Sequence, residues 1–252
     1  MLRIKDQILT IRECLSKLEE LVDEIVIVDN GSTDGTLNVY KECEKIVAIE
    51  NTKGFNEGRD KCLAHDLAKT RNPDWILWID ADEVFENMAS RESFESYISN
   101  PNLNLVKFRL FHFWRSKHKY RVDDIWKKYT SAPQRQMWRN IPSAYFKNIK
   151  FHNGGIMGVP PKHITSAIRL KHFGYIHKIQ LSSKKKTYES MSVDPMAKKT
   201  LSMSTKNMKL VPFRESKIKA VNSFIQQSQH LYWGALEKYY TYLAPKISYT
   251  VK

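Results

Sequence analysis

Two short apolar runs limit what this chain can fold into. "EIVIVD", residues 24–29, is β-branched through its middle and stops at Asp29; "WILWI", residues 75–79, stops at Asp80, with Ala81, Asp82 and Glu83 behind it. Runs this short and this uniformly apolar read as strands buried on both faces, the habit of parallel sheets covered by helices. The intervening sequence supplies the helices. Residues 7–22 place Ile8, Ile11, Leu15, Leu18 and the Leu21/Val22 pair at helical spacing, and residues 34–44 and 55–70 read as two more helices. "NGST" after Asp29 is a turn, "KIVAIE" (45–50) a further strand, and "RNPD" (71–74) breaks the third helix. Strand–helix–strand repetition predicts a parallel α/β sheet with ligands at the carboxyl ends of its strands.

The second half changes character. "LNLVKFRLFHFW" (103–114), "SAYFKNIKFHNGGIMG" (143–158, with a Gly-Gly turn) and "IRLKHFGYIH" (168–177) read as three strand candidates of a mixed sheet extension carrying an acceptor site. Beyond about residue 180 the pattern turns helical and polar, and residues 215–243 suit an amphipathic helix rich in Tyr and Trp. The expected organisation is a sheet domain over 1–180, nucleotide-binding in its first hundred residues and acceptor-binding over 101–180, followed by a basic helical extension over 181–252. No run approaches the roughly 18 apolar residues of a membrane span. The opening "MLRIKDQILTIRECL" lacks the apolar core of a signal peptide, and Cys14, Cys43 and Cys62 show no metal or disulfide spacing; both point to a cytoplasmic protein.

The formal charge is +14, which favours anionic partners such as nucleotide phosphates, acidic glycans or anionic lipid. The excess gathers late: residues 169–220 hold thirteen Lys or Arg against three Asp or Glu. Most such runs are solvated faces, and this one is read so, with peripheral membrane contact as its functional use.

Against this basic background the strand-end acids stand out. A carboxylate at Asp29 suits a nucleobase edge or a ribose hydroxyl; equally, Asp29 and Asn30 suit the cap of the next helix. Asp80 and Asp82 lie two apart, so in extended backbone both face one side, where like charges repel unless a cation separates them. Oxygen ligands select Mg2+ or Mn2+. Acids there also suit a helix start, a role that fits Glu83. Lys53, Arg59 and Lys61 flank a helix entered through Gly54 and Gly58; one of them can meet a phosphate, while Lys61 reads as plain exposed helix surface. His172, with His177 as its rival, is a late-strand histidine that can add a nitrogen ligand to two carboxylates.

"LVDEIVIVDNGSTDGT", "GFNEGRDKCLAHDLA" and "DWILWIDADEVFE" together resemble, in order and spacing, a family 2 glycosyltransferase of GT-A fold. The resemblance is clear over about residues 1–90 and continues more faintly through "YRVDDIW", "QRQMWRN", "FHNGG" and "RLKHFGYIH". It implies a Rossmann-like α/β fold, with a mainly parallel mixed sheet flanked by helices. It also implies an inverting transfer from a nucleotide-diphosphate sugar, UDP-linked or other, to a glycan, lipid-linked or other hydroxyl acceptor. No nucleic-acid partner is expected. Asp29 and Asn30 would meet the nucleobase and Arg59 the nucleotide. Asp80, Ala81 and Asp82 would form the DxD motif, with Asp82 the firmer metal ligand, Asp80 nearer the ribose or metal, and His172 a ligand on the diphosphate side. Two departures matter. The first strand is short, with Asp6 and Gln7 where the family has Asn and Glu, so Arg3, Lys5 and Asp6 would form that wall of the nucleotide site. An acid expected after a later histidine is Asn153. The general base therefore falls to Asp123 or Asp124, with His152 as runner-up. A nucleotidyltransferase of similar fold and a non-catalytic module binding anionic lipid or nucleic acid are the alternatives; the first lacks a Gly-rich, Lys-containing phosphate loop here.

Overall fold

The β-branched run forms β2 (Ile25–Asp29), buried along its whole length. It lies between β1 (Leu2–Ile4) and β3 (Ile46–Asn51), parallel to both. The computed structural model describes residues 1–123, 126–127, 130, 133–150, 154–190 and 208–216. Helix α1 (Ile11–Glu19) follows β1 and buries Ile11, Cys14, Leu15 and Leu18, the i, i+3, i+4, i+7 stripe of the sequence. Each such buried Leu or Ile contributes about 1.5–3 kcal/mol. Helix α2 is short (Thr36–Tyr40), and α3 (Glu57–Lys69) is N-capped by Asn56, whose side chain accepts from Arg59 N. Gly58 lets α3 settle on its neighbour: a Cβ there would stand 2.3 Å from the backbone nitrogen of Ile149.

The apolar run before the acids is β4 (Trp75–Trp78). A mixed sheet follows: β5 (Glu83–Phe85), α4 (Arg91–Ile98), β6 (Leu105–Trp114), β7 (Lys119–Arg121), β8 (Pro133–Arg139), β9 (His163–Tyr175), α5 (Lys178–Ser190) and β10 (Leu210–Pro212). Strand β6 is its spine, with β8 antiparallel and β9 parallel to it. Strand β4 pairs antiparallel with β8, β5 with β9, β7 with the end of β6, and β10 with β7. Among the described residues, parallel pairing is thus confined to β1–β2–β3 and β6–β9; β4, expected in the parallel sheet, instead pairs antiparallel with β8 in the mixed sheet.

Two expectations about elements are corrected. The described residues of 143–158 form no strand and hold one isolated antiparallel bridge, Tyr145 to Met157. Gly154 and Gly158 both adopt φ of 75°, which breaks extended backbone. The tail is not wholly helical. Helix α5 is as expected, but β10 returns to the sheet, and Phe213 beyond it packs on Phe111, Phe113 and Tyr120. A strand of three residues ending in Pro212 carries almost no periodic signal. The helix expected over 215–243 lies outside the described residues apart from its first two, which are not helical.

Candidate functional site

In the turn after β2, the Asp29 carboxylate is satisfied by near neighbours in the chain, and the rest of the turn is tied to β1 and to the loop entering α3. Asp29 is fully buried; its Oδ1 accepts from Ser32 N at 2.7 Å and its Oδ2 from Tyr40 Oη at 2.6 Å. Burial, then the Asp29 carboxylate, push the Tyr40 hydroxyl above its usual range. Neither Asp29 nor Asn30 caps α2, whose N-cap is Gly35 with no side-chain bond. Asn30 Nδ2 instead donates to Thr52 Oγ1 and Gly54 O, both at 2.9 Å, and to Asp60 Oδ2 at 3.2 Å. Lys5 Nζ donates to Gly31 O, and Asp6, at φ 49°, accepts from Thr33 N at 2.7 Å. The Arg3 guanidinium lies 5.2 Å from the centre of the Phe55 ring. Arg59 is spent on the same scaffold: it donates to Lys53 O at 3.0 Å, to Gly54 O at 2.8 Å and to the fully buried Asp60 at 2.7 Å. Its guanidinium shapes the loop entering α3, while Lys53 is exposed.

The acidic turn after β4 is assembled from distant elements. The chain turns at Ala81–Asp82, so the extended geometry does not persist, and Glu83 opens β5 instead of a helix. The two aspartates face different partners. Arg135 on β8 reaches Asp80 Oδ2 at 2.5 Å and Glu83 Oε2 at 2.6 Å. Asp82 Oδ2 receives Lys184 Nζ of α5 at 2.8 Å and lies 3.4 Å from His172 Nε2. His172 is the cross-strand partner of Glu83 on one side and of His112 on the other; the two histidine Nδ1 atoms are 3.1 Å apart. His177, the rival, lies beyond the end of β9.

Charge sorts these groups. Burial opposes ionisation of Asp82, but the Lys184 ammonium holds its carboxyl well below the usual carboxylate range. Asp80 is likewise desolvated, and Arg135 with Arg3 holds it down. Burial pushes Glu83 up to about 7; Arg135 opposes the rise, and Asp80 and Asp82 add to it. Burial also lowers His172 and takes His112 well below the usual imidazole value, so both rings are neutral near pH 7.

Sequence reasoning misses Arg135, Lys184 and His112, and gives Glu83 only the role of a helix start. Arg135 lies inside "QRQMWRN" and Glu83 inside the acidic stretch itself; Lys184 lies in a lysine run that reads as solvated. Lys61 is a correction. It is 2% exposed, not on the surface: its ammonium lies 3.8 Å from the centre of a Trp78 ring and bonds Glu57 Oε1 at 2.5 Å, and burial lowers its pKa. Helical periodicity could not show this, because the strand that covers that face comes from elsewhere in the chain. Asp123 is committed to Arg121, with contacts of 2.7 and 2.8 Å, and accepts from Lys209 N at 3.1 Å. Asp124, His152 and Asn153 lie outside the described residues.

A divalent cation, which the resemblance implies, fits this turn. Ligand atoms of Asp82, Glu83 and His172 all lie within 4.8 Å of one another. Asp80 Oδ1 is buried with no hydrogen-bond partner. Gly174 lets these groups crowd together: a Cβ there would collide with Asp82 Oδ2 and His172 Cε1, at 2.3 and 2.8 Å. Two carboxylates with an imidazole make an O/N set that Mn2+ accepts readily and Mg2+ tolerates.

Comparison with known proteins agrees with the motifs. The chain is 26% identical over 83 residues to the O-antigen chain rhamnosyltransferase WbaN of Salmonella anatum, covering 33% of this chain and 26% of that one. It is 30% identical over 79 residues to an uncharacterized glycosyltransferase, RP128, of Rickettsia prowazekii, covering 31% and 25%. A TPR repeat-containing protein of Synechococcus elongatus matches at 30% over 81 residues, 32% of this chain and 19% of that one. The chain thus spans about a fifth to a quarter of the length of these relatives. Among solved structures, S. aureus TarS superposes with a TM-score of 0.48 at 14% identity, over 100% of this chain and 45% of that one. The mannosyltransferase PcManGT of Pyrobaculum calidifontis, in complex with GDP-Man and Mn2+, gives 0.45 at 12% identity, over 79% and 66%. The description of glycosyl transferase family 2 matches residues 5–154, from the strand beneath the first turn through both acidic turns to the glycines after β8, and the chain is a member of that family.

Proposed function

We propose that this chain moves a sugar from a nucleotide-diphosphate donor to a hydroxyl of a glycan or lipid-linked acceptor, with inversion at the anomeric carbon. The convergence of Asp82, Glu83 and His172 at the carboxyl end of β4 carries the reading. Asp82 and His172 would hold Mn2+ or Mg2+, with Asp80 shared between the cation and the ribose. When bound, the cation neutralises the charge that grows on the diphosphate as the sugar leaves. For His172 Nε2 to offer its lone pair, Nδ1 must carry the proton and donate to His112 Nδ1, a role that fixes the ring. Asp29 and Asn30 keep the first turn rigid against the nucleobase, and Arg3, Lys5 and Asp6 wall it. Arg59 acts on the nucleotide indirectly, through the Lys53–Gly54 loop.

The acceptor hydroxyl must lose its proton to a base opposite the diphosphate. Of the Asp123–Asp124 pair, Asp123 is held below the usual carboxylate range by Arg121 and Lys209 N, against the pull of burial, which makes it a weak base. We therefore assign the proton to Asp124. The basic C-terminal segment, residues 181–252, is read as a peripheral contact with an anionic membrane that carries the acceptor. Deleting it should abolish liposome co-sedimentation; unchanged sedimentation would remove that contact from the reading. Among the described residues no helix is long and apolar enough to cross a membrane.

A screen of nucleotide sugars for thermal stabilisation with Mn2+ identifies the donor. With that donor, Asp82→Ala should abolish transfer and weaken metal-dependent binding of the nucleotide diphosphate. Wild-type turnover by Asp82→Ala with Mn2+ present would overturn the reading.

A further inference from the structure

Lys184 is the contact at this site that neither the motifs nor the family match accounts for. It belongs to α5, which starts just after β9, and its ammonium stands 4.8 Å from the centre of the Tyr175 ring and 2.8 Å from Asp82 Oδ2. His172 Nε2 approaches the same oxygen at 3.4 Å. The space it fills exists because residue 174 is glycine: a Cβ there would stand 2.1 Å from the lysine nitrogen. The ammonium therefore sits in the gap beside Asp82 and His172, on the oxygen a metal ion would use.

Two cations cannot share one buried carboxylate oxygen at contact distance. Their mutual repulsion in a partly desolvated site is several times what it is in water. Without metal, a buried Asp82 needs a counter-charge. We propose that Lys184 is a built-in rival of the divalent cation: it neutralises Asp82 in the metal-free chain, is expelled when the ion enters, and so sets the metal concentration at which the site loads. The inference rests on the metal-binding reading above. It gives α5 a role beyond packing, since the ammonium can leave Asp82 only by a change of rotamer or of helix position. It also answers how the acidic turn stays folded before any ligand arrives.

The test needs Mn2+ alone. The ion is titrated into the full chain as wild type, Lys184→Met, Lys184→Gln and Lys184→Arg, and free Mn2+ is followed by its EPR signal; thermal melts establish that each variant folds. The neutral variants should bind Mn2+ about tenfold more tightly than wild type or better, and Lys184→Arg should stay within about threefold of it, because the counter-charge is kept. Equal or weaker binding by the neutral variants, with binding lost in Asp82→Asn, would overturn the competition and leave the metal reading standing. Absence of Mn2+ binding in every form, the neutral variants included, would overturn both.

Discussion

The two strand-end turns look alike in sequence and are built in opposite ways. At the end of β2, Asp29 is satisfied by Ser32 and Tyr40, three and eleven residues away, both neutral donors. At the end of β4, the acids are satisfied by Arg135, His172 and Lys184, the first 55 and the last 102 residues from its carboxylate. The Asp29 carboxylate is satisfied inside its own β2–α2 unit. The other turn is a charge cluster that exists only once β8, β9 and α5 have arrived. Neutral bonds give a rigid wall. Opposed charges give a site whose balance shifts when a cation or an anion enters.

The comparison can be broken most directly at Arg135. Replacing it with Met leaves Asp80 and Glu83 as buried acids without their cation and should cost about 3–5 kcal/mol in urea unfolding. A loss under about 1 kcal/mol would mean that the second turn does not depend on its distant partner. Gly174→Ala comes next. The new Cβ intrudes on Lys184, Asp82 and His172, and a cost of about 1–3 kcal/mol is expected together with weaker Mn2+ binding. A normal EPR titration of that variant would show that the gap is not where the ion goes.

Acid sharpens the contrast further. His112 and His172 are both depressed by burial, so in the folded chain they resist the proton that an unfolded histidine takes up near about pH 6.5. Stability from these neutral rings is complete above that pH and is lost as pH falls below it. The slope is at most about 1.4 kcal/mol per pH unit for each histidine. Melts between pH 7.5 and 5.5 should show the fall, and His112→Asn should flatten it; parallel curves would assign the acid sensitivity elsewhere. Smallest is Tyr40→Phe, which removes one neutral bond and leaves Ser32 on Asp29. About 1 kcal/mol is expected, with turnover nearly unchanged. If it matched Arg135→Met, the distinction between the turns would collapse.

The same division explains what was legible. Strands β2 and β4, helices α1 and α3 and the placing of Asp29, Asp80 and Asp82 at strand ends followed from apolar periodicity and turn residues, which act over a few positions. Of the strand expected over 143–158, the described residues keep only the Tyr145–Met157 bridge, and β10 was too short to carry a period. Lys61 and Lys184 were read as surface because a lysine on a helix looks solvated until another element covers it. Asp123 looked available until Arg121, two residues away on β7, was found folded back onto it.

By itself, then, the sequence determined where β2 and β4 run, that each ends in acids and which family the chain belongs to, because each of those is written in neighbouring residues. Tertiary structure decided which cations meet those acids. Register pairs Glu83 with His172 across β5 and β9, and His172 with His112 across β6 and β9. Pairing of Trp78 with Gln136 sets Arg135 beside Asp80. A shift of one residue in either pairing would turn those side chains to the opposite face, and only the packed sheet fixes that choice.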